Sequence, residues 1–99
     1  MAVMFIGEFN NIVQTAMGRM QIVKAPPIAE QTVAIGAGSV QSAAFNAATV
    51  AIRVHVDVAA SIAIGLNPTA SLTTARLAAG QTEYFGVTPG DKIAVIANP

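Results

Sequence analysis

Val50-Ala51-Ile52-Arg53-Val54-His55-Val56-Asp57 is the stretch that decides the fold. Its side chains alternate: Val50, Ile52, Val54 and Val56 share one face, and Ala51, Arg53, His55 and Asp57 share the other. Successive Cβ atoms of a pleated strand point to opposite sides, so a period of two predicts a half-buried β-strand. Downstream, strand-like runs recur with regular punctuation. Ser61-Ile62-Ala63-Ile64 runs into Gly65-Leu66-Asn67-Pro68, where Gly and Asn-Pro carry turn chemistry. Residues 71–77 read as a short strand or extended loop, closed by Ala78-Ala79-Gly80. Residues 83–87 form a strand, Thr88-Pro89-Gly90-Asp91 a turn with Pro in a favoured position, and residues 92–97 a buried strand. A break about every ten residues is the spacing of a sandwich or barrel.

Upstream the pattern is less regular. Strands are expected over residues 2–6, 11–16, 20–25, 32–35 and 40–45, with Pro26-Pro27 forcing an extended break between the third and fourth. A helix over 43–50 is suggested by Ala content and opposed by Asn46 and Thr49. Eight or nine strands in all predict an all-β chain: one antiparallel β-sandwich domain, jelly-roll-like, over residues 1–99. Residues 1–47 form its less regular part and residues 48–97 a strand–turn meander. Residues 1–9 are a candidate arm that adds an edge strand to a neighbour.

Composition supports strands over helices. The chain holds 20 Ala, 11 Val and 10 Ile against 3 Leu, and β-branched side chains favour the pleated surface. Of 99 residues only 10% are charged, and the net charge is zero. That balance lacks the basic footprint of a nucleic-acid binder and the polybasic run that attracts anionic membranes. The longest uncharged stretch, residues 31–52, holds Gln31, Gln41, Ser42 and Asn46 and is too polar to span a bilayer. The first residues carry no basic side chain before Arg19 and no cleavage pattern, so synthesis in a cytoplasm without a secretory signal is expected. With so few charges to cover the surface, part of the outside is expected to lie against other subunits.

Site chemistry is sparse. The absence of Cys removes thiolate chemistry, and a single His removes a multi-His metal centre within one chain; no metal or cofactor is expected. Gly36-Ala37-Gly38 begins like a dinucleotide fingerprint, but Gln41 stands where the third Gly belongs. Ser61 and Ser71 are the serines that His55 and Asp57 would need as partners, yet no G-x-S-x-G elbow presents either one. Glu8, Glu30, Asp57, Glu83 and Asp91 are scattered, without the pairing of glycoside chemistry or the alternation of a calcium loop. The chain therefore reads as a non-enzyme. Arg53, His55 and Asp57, on one strand face, form a candidate subunit interface in which Arg meets Asp of a neighbouring chain. Tyr84 joins them: Tyr84 and Phe85 fall on opposite faces, so one ring enters the core and the other caps an edge or interface.

The cadence from Arg53-Val54-His55-Val56 through Ile62-Ala63-Ile64-Gly65-Leu66-Asn67-Pro68, Leu77-Ala78-Ala79-Gly80 and Glu83-Tyr84-Phe85-Gly86-Val87 to Pro89-Gly90-Asp91-Lys92-Ile93 resembles small all-β virion proteins of tailed bacteriophages and prophages. These are of the capsid decoration, or cement, type. The resemblance covers a little under half the chain and rests on turn and strand motifs. It implies a homotrimer on the virion surface that braces contacts of the major capsid protein, with no catalytic residues to carry over. The alternatives are another virion role, as head–tail adaptor or tail or fibre-base protein, and a small carbohydrate-binding β-domain.

Overall fold

The computed structural model describes residues 2–15 and 18–99. Its described residues form ten β-strands and no helix. Chain order runs β1 (Val3–Phe9), β2 (Ile12–Thr15), β3 (Gly18–Val23), β4 (Ala29–Ala34) and β5 (Val40–Gln41) through the first half. The second half adds β6 (Ala51–Val56), β7 (Ala60–Gly65), β8 (Ala75–Leu77), β9 (Thr82–Gly86) and β10 (Lys92–Ala97). Two antiparallel sheets of four result, one ordered β4-β1-β6-β9 and the other β5-β10-β7-β8, while β2 and β3 form a two-stranded sheet among the described residues.

One hydrophobic cluster joins the sheets. Met4, Ile6, Val33, Ile52, Val54 and Val56 come from the first sheet, and Ile62, Leu77, Ile93 and Val95 from the second. These are alternate residues along their strands, as expected where each sheet buries one face. The interior is thus built from β-branched side chains that the pleat holds in few rotamers.

Two expected turns have their chemistry in place. Thr88 accepts a hydrogen bond from the Asp91 N–H at 3.0 Å, with Pro89 and Gly90 between them and Gly90 at φ +88°. A positive φ at the third position is the type II turn, in which Gly avoids the Cβ clash. Ala78 and Gln81 close a similar turn at 3.0 Å around Gly80, at φ +78°.

Several expectations are corrected. Residues 3–9 are no arm: β1 lies inside its sheet, paired with β4 on one side and β6 on the other. Met1, the start of that expected arm, and Ala16, in the expected strand over 11–16, lie outside the described residues. Residues 48–97 are no meander either, because the chain changes sheet between β6 and β7, β8 and β9, and β9 and β10. The strand expected over 40–45 keeps only Val40 and Gln41, and residues 43–50 contain a turn at 47–48 in place of a helix. Val50 is exposed where alternation placed it inside, while Ala51 opposite Phe9 is buried. Thr49, fully buried, takes the inward place just ahead of the strand.

The hairpin β2–β3 is a continuation of a longer one. β1 and β4 pair from Val3↔Ala34 to Glu8↔Ala29, then Ile28 donates to the Glu8 carbonyl at 2.7 Å and Lys24 to the Asn11 carbonyl at 3.1 Å. Pairing resumes at Ile12↔Val23. The interruption holds Pro26-Pro27 and a cis Ala25–Pro26 peptide. Seven antiparallel residues span about 24 Å, whereas the molecule measures 46 × 24 × 23 Å. The ribbon β2–β3 extends the long axis beyond the two sheets.

Candidate functional site

The outer faces of the two sheets differ. On the second sheet, Ser61, Ala63 and Ala94 point away from the core, and Ser61 and Ala94 are nevertheless buried. The loop of residues 66–74 covers them. Gln41, opposite Ala94, donates to Asn67 Oδ1 at 2.8 Å and to the Pro68 carbonyl at 2.7 Å. Ala70 N–H donates to Ser39 Oγ at 2.9 Å, and Asn98 Nδ2 reaches both Ser61 Oγ at 2.8 Å and the Leu72 carbonyl at 3.1 Å. Small outward side chains let this loop lie close, which gives part of the Ala content a purpose.

The outer face of the first sheet stays open. Its side chains form two cross-strand rows. The register aligns Thr32, Phe5, His55 and Thr82 in one, and Glu30, Gly7, Arg53 and Tyr84 in the next. Phe5 is 42% and Tyr84 55% exposed. The Phe9 ring lies against Gly7, where a Cβ would stand 3.5 Å from it, and beside this contact a depression of about 460 Å³ is bordered by Phe5, Glu30, Thr32, Arg53 and His55. His55 is held in place: its Nδ1 lies 2.8 Å from Thr82 Oγ1, and its ring sits 6.2 Å from that of Phe5 at 50°. Cross-strand pairs of this kind fix side-chain positions on a sheet.

Three of the four expected interface residues are therefore neighbours: Arg53 and His55 on β6, and Tyr84 opposite Arg53 on β9. Asp57 is set apart. It follows β6 at a bend, and its Oδ2 accepts the Val3 N–H at 3.3 Å while its own N–H donates to the Val3 carbonyl at 3.2 Å. That contact closes the end of the β1–β6 ladder. Phe85 packs against the core as the paired-ring expectation requires, with Tyr84 outward.

The serines considered as nucleophiles are engaged elsewhere. Ser61 is buried under Asn98, and Ser71 Oγ lies 3.0 Å from Thr73 Oγ1 in a local turn. Neither is on the sheet that carries His55.

Where the β6–β9 pair meets the base of the hairpin lies a second groove of about 590 Å³. Tyr84, Phe85, Val50 and the hairpin-base residues Ile12 and Val23 line it. It is predominantly apolar, and β9 is an edge strand of its sheet.

Glu8 is the polar residue that sequence reasoning passed over. Its carboxylate is 3% exposed and faces inward with Met4 and Ile6. Oε1 accepts the Asn46 N–H and the Thr49 hydroxyl, each at 2.8 Å, and Oε2 accepts Gln31 Nε2 at 3.3 Å. Gln31 in turn accepts the Ala43 N–H at 3.0 Å and donates to the Ala43 carbonyl at 3.4 Å. This network draws residues 43–49 toward the first sheet. Ser42 still follows β10, donating to the Ile93 carbonyl at 2.8 Å and accepting from Ile93 N–H at 3.0 Å. The segment from 42 to 49 thus ties the two sheets at one edge, and that tie ends β5 after two residues. Period two from Met4 and Ile6 was the signal for Glu8.

Among the described residues no group of three or more His, Asp or Glu side chains is placed to hold a metal ion. No described helix is long and apolar enough to cross a membrane. The chain matches no family model, no curated protein and no solved structure.

Proposed function

We propose that this chain is a structural assembly subunit, a capsid decoration or cement protein of a tailed-phage virion. In this reading it is made in the host cytoplasm and acts as a homotrimer on the capsid surface. The observation that carries the proposal is the β2–β3 ribbon, which extends beyond the two sheets and, among the described residues, joins neither of them. An isolated two-stranded ribbon is marginally stable in water, so a partner surface would supply what the sandwich does not. The open sheet face supports the same reading, because it sets Phe5, His55, Arg53 and Tyr84 outward while the other sheet is covered by its own loop. A trimer would dock that face over junctions of the major capsid protein. Many weak contacts repeated over a shell would add through multivalency.

The strand order supports a jelly-roll assignment. With the hairpin left out, the eight remaining strands numbered in chain order lie 2-1-4-7 and 3-8-5-6. Moving every number back by one turns these into 1-8-3-6 and 2-7-4-5, the arrangement of the two Greek keys of a jelly roll. The fold would then be a jelly roll whose last strand comes first.

Peptide mass spectrometry of virions purified from the native host tests the function. The expected result is this chain in copies proportional to the major capsid protein. Absence from the particles overturns the proposal, and a fixed ring of about six or twelve copies replaces it with a head–tail adaptor.

A further inference from the structure

We propose that the open face of the first sheet recognises its partner by charge order, taking a carboxylate against Arg53 and a cationic side chain against Glu30 from the shell protein. This rests on the cement reading and names the chemistry of its contact. Glu30 on β4 and Arg53 on β6 stand in one cross-strand row, on either side of β1. Their Cα atoms are two strand spacings apart, roughly 9–10 Å. Between them β1 turns Phe5, Gly7 and Phe9 outward, none with a side chain that can hydrogen-bond. Both charges border the same depression and both are exposed. Among the described residues neither side chain has an ion-pair or hydrogen-bond partner.

Hydration stabilises these two charges while the face is open. A surface laid over the face removes that hydration, and an enclosed charge without a partner opposes binding strongly. The composition of the covering surface follows: an acid at one side, an apolar centre over Phe5, and a base at the other. The Arg53 guanidinium presents paired N–H donors that suit a carboxylate, while Glu30 only accepts and so takes Lys or Arg. Tyr84 stands opposite Arg53, and Tyr with Arg is a pairing that interfaces use as an anchor. Strand pairing holds these residues before contact, which lowers the ordering cost of docking. The two charges cancel, so net attraction does not select the partner. Their order does, because a surface with acid and base exchanged meets like charge at both positions.

The test is pelleting with capsid shells prepared from the native virions and depleted of this chain. Wild type is compared with Glu30→Arg, Arg53→Glu and the double exchange Glu30→Arg, Arg53→Glu, which keeps the net charge of the face. Both positions are exposed, so each variant should keep the wild-type urea transition; Glu30→Gln and Arg53→Gln replace any that does not. Each reversal should weaken shell binding at least about tenfold, and the double exchange at least as much. A double exchange that binds within about twofold of wild type overturns the charge order. Light scattering is run beside it: a reversal that lowers the solution mass means that a second copy covers this face, which overturns the assignment to the shell. A wild type that pellets with the shells while every variant matches it removes the charge order alone. A wild type that never pellets removes the docking reading, and the charge order with it.

Discussion

Replacing Glu8 with Ala should be among the most damaging single polar substitutions in this chain. The carboxylate accepts three hydrogen bonds, two of them from donors at 2.8 Å, and Thr49 beside it is fully buried. Hydrogen bonds to a charged group contribute roughly 1.5–3 kcal/mol, and a buried donor left without a partner costs about 1–3 kcal/mol. Allowing for overlap among three coupled contacts, the loss is about 3–5 kcal/mol. A domain of this size has on the order of 5–15 kcal/mol in total, so Glu8→Ala approaches the unfolding threshold. Glu8→Gln is more informative. Its carbonyl still receives Asn46 N–H and Thr49 Oγ1, but its amide meets Gln31 Nε2 donor to donor. Turning Gln31 over would set its amide against the Ala43 N–H, which it now accepts at 3.0 Å. The expected cost is about 1–2 kcal/mol. The double variant Glu8→Gln, Gln31→Glu exchanges donor for acceptor and should recover part of that cost. Urea unfolding with unchanged slope gives these differences directly. A Glu8→Ala protein within about 1 kcal/mol of wild type, or a double variant no more stable than Glu8→Gln, would refute the network.

Other consequences can be measured the same way. Gly90→Ala, at φ +88°, should cost about 1–2 kcal/mol, whereas Gly36→Ala, in open space with no positive φ, should fall within about 0.5 kcal/mol of wild type. Ile52→Ala, at a fully buried site between β1 and β9, should cost about 2–5 kcal/mol in urea unfolding. Asp57→Ala removes one exposed 3.3 Å contact, so its unfolding midpoint and its solution mass should both stay near wild type. Arg53→Ala, on the open face, should leave stability and solution mass unchanged while weakening binding to capsid shells in a pelleting assay; undiminished shell binding would remove that face from the interface.

Local chemistry explains which features were legible in the sequence. β10 was read with both ends correct, because Pro89-Gly90 sets its start and alternation fills it from Ile93 to Val95. The expected strand over 50–57 is one residue longer than β6 at each end, since Val50 continues the alternation on paper while Thr49 occupies the interior. The partners of Glu8 lie 23, 38 and 41 residues away, and nothing in a local window connects Glu8 to Gln31, Asn46 or Thr49. The same distance hid the shortening of β5 and the loop over Ser61 and Ala94. In the candidate site, Arg53 and His55 were visible as one strand face. Their junction with Phe5, Glu30 and Tyr84 depends on strand pairing, which alternation alone does not specify. Asp57 shared the pattern but fell beyond the strand end, where a backbone N–H claimed it.

The position of β10 also bears on how the chain is made. β10 lies inside the second sheet, between β5 and β7, yet it follows every other strand of the two sheets in chain order. As the chain emerges from a ribosome, the first sheet can be completed once residue 86 is out. The Ile62–Ile64 edge of β7 must then wait for residues 92–97 before its main chain is paired. During that interval an apolar strand stands open, the condition under which β-proteins pair with the wrong neighbour. A slow step between residues 86 and 97 would lengthen the exposure, and a chaperone that shields β7 would be needed most just before β10 appears.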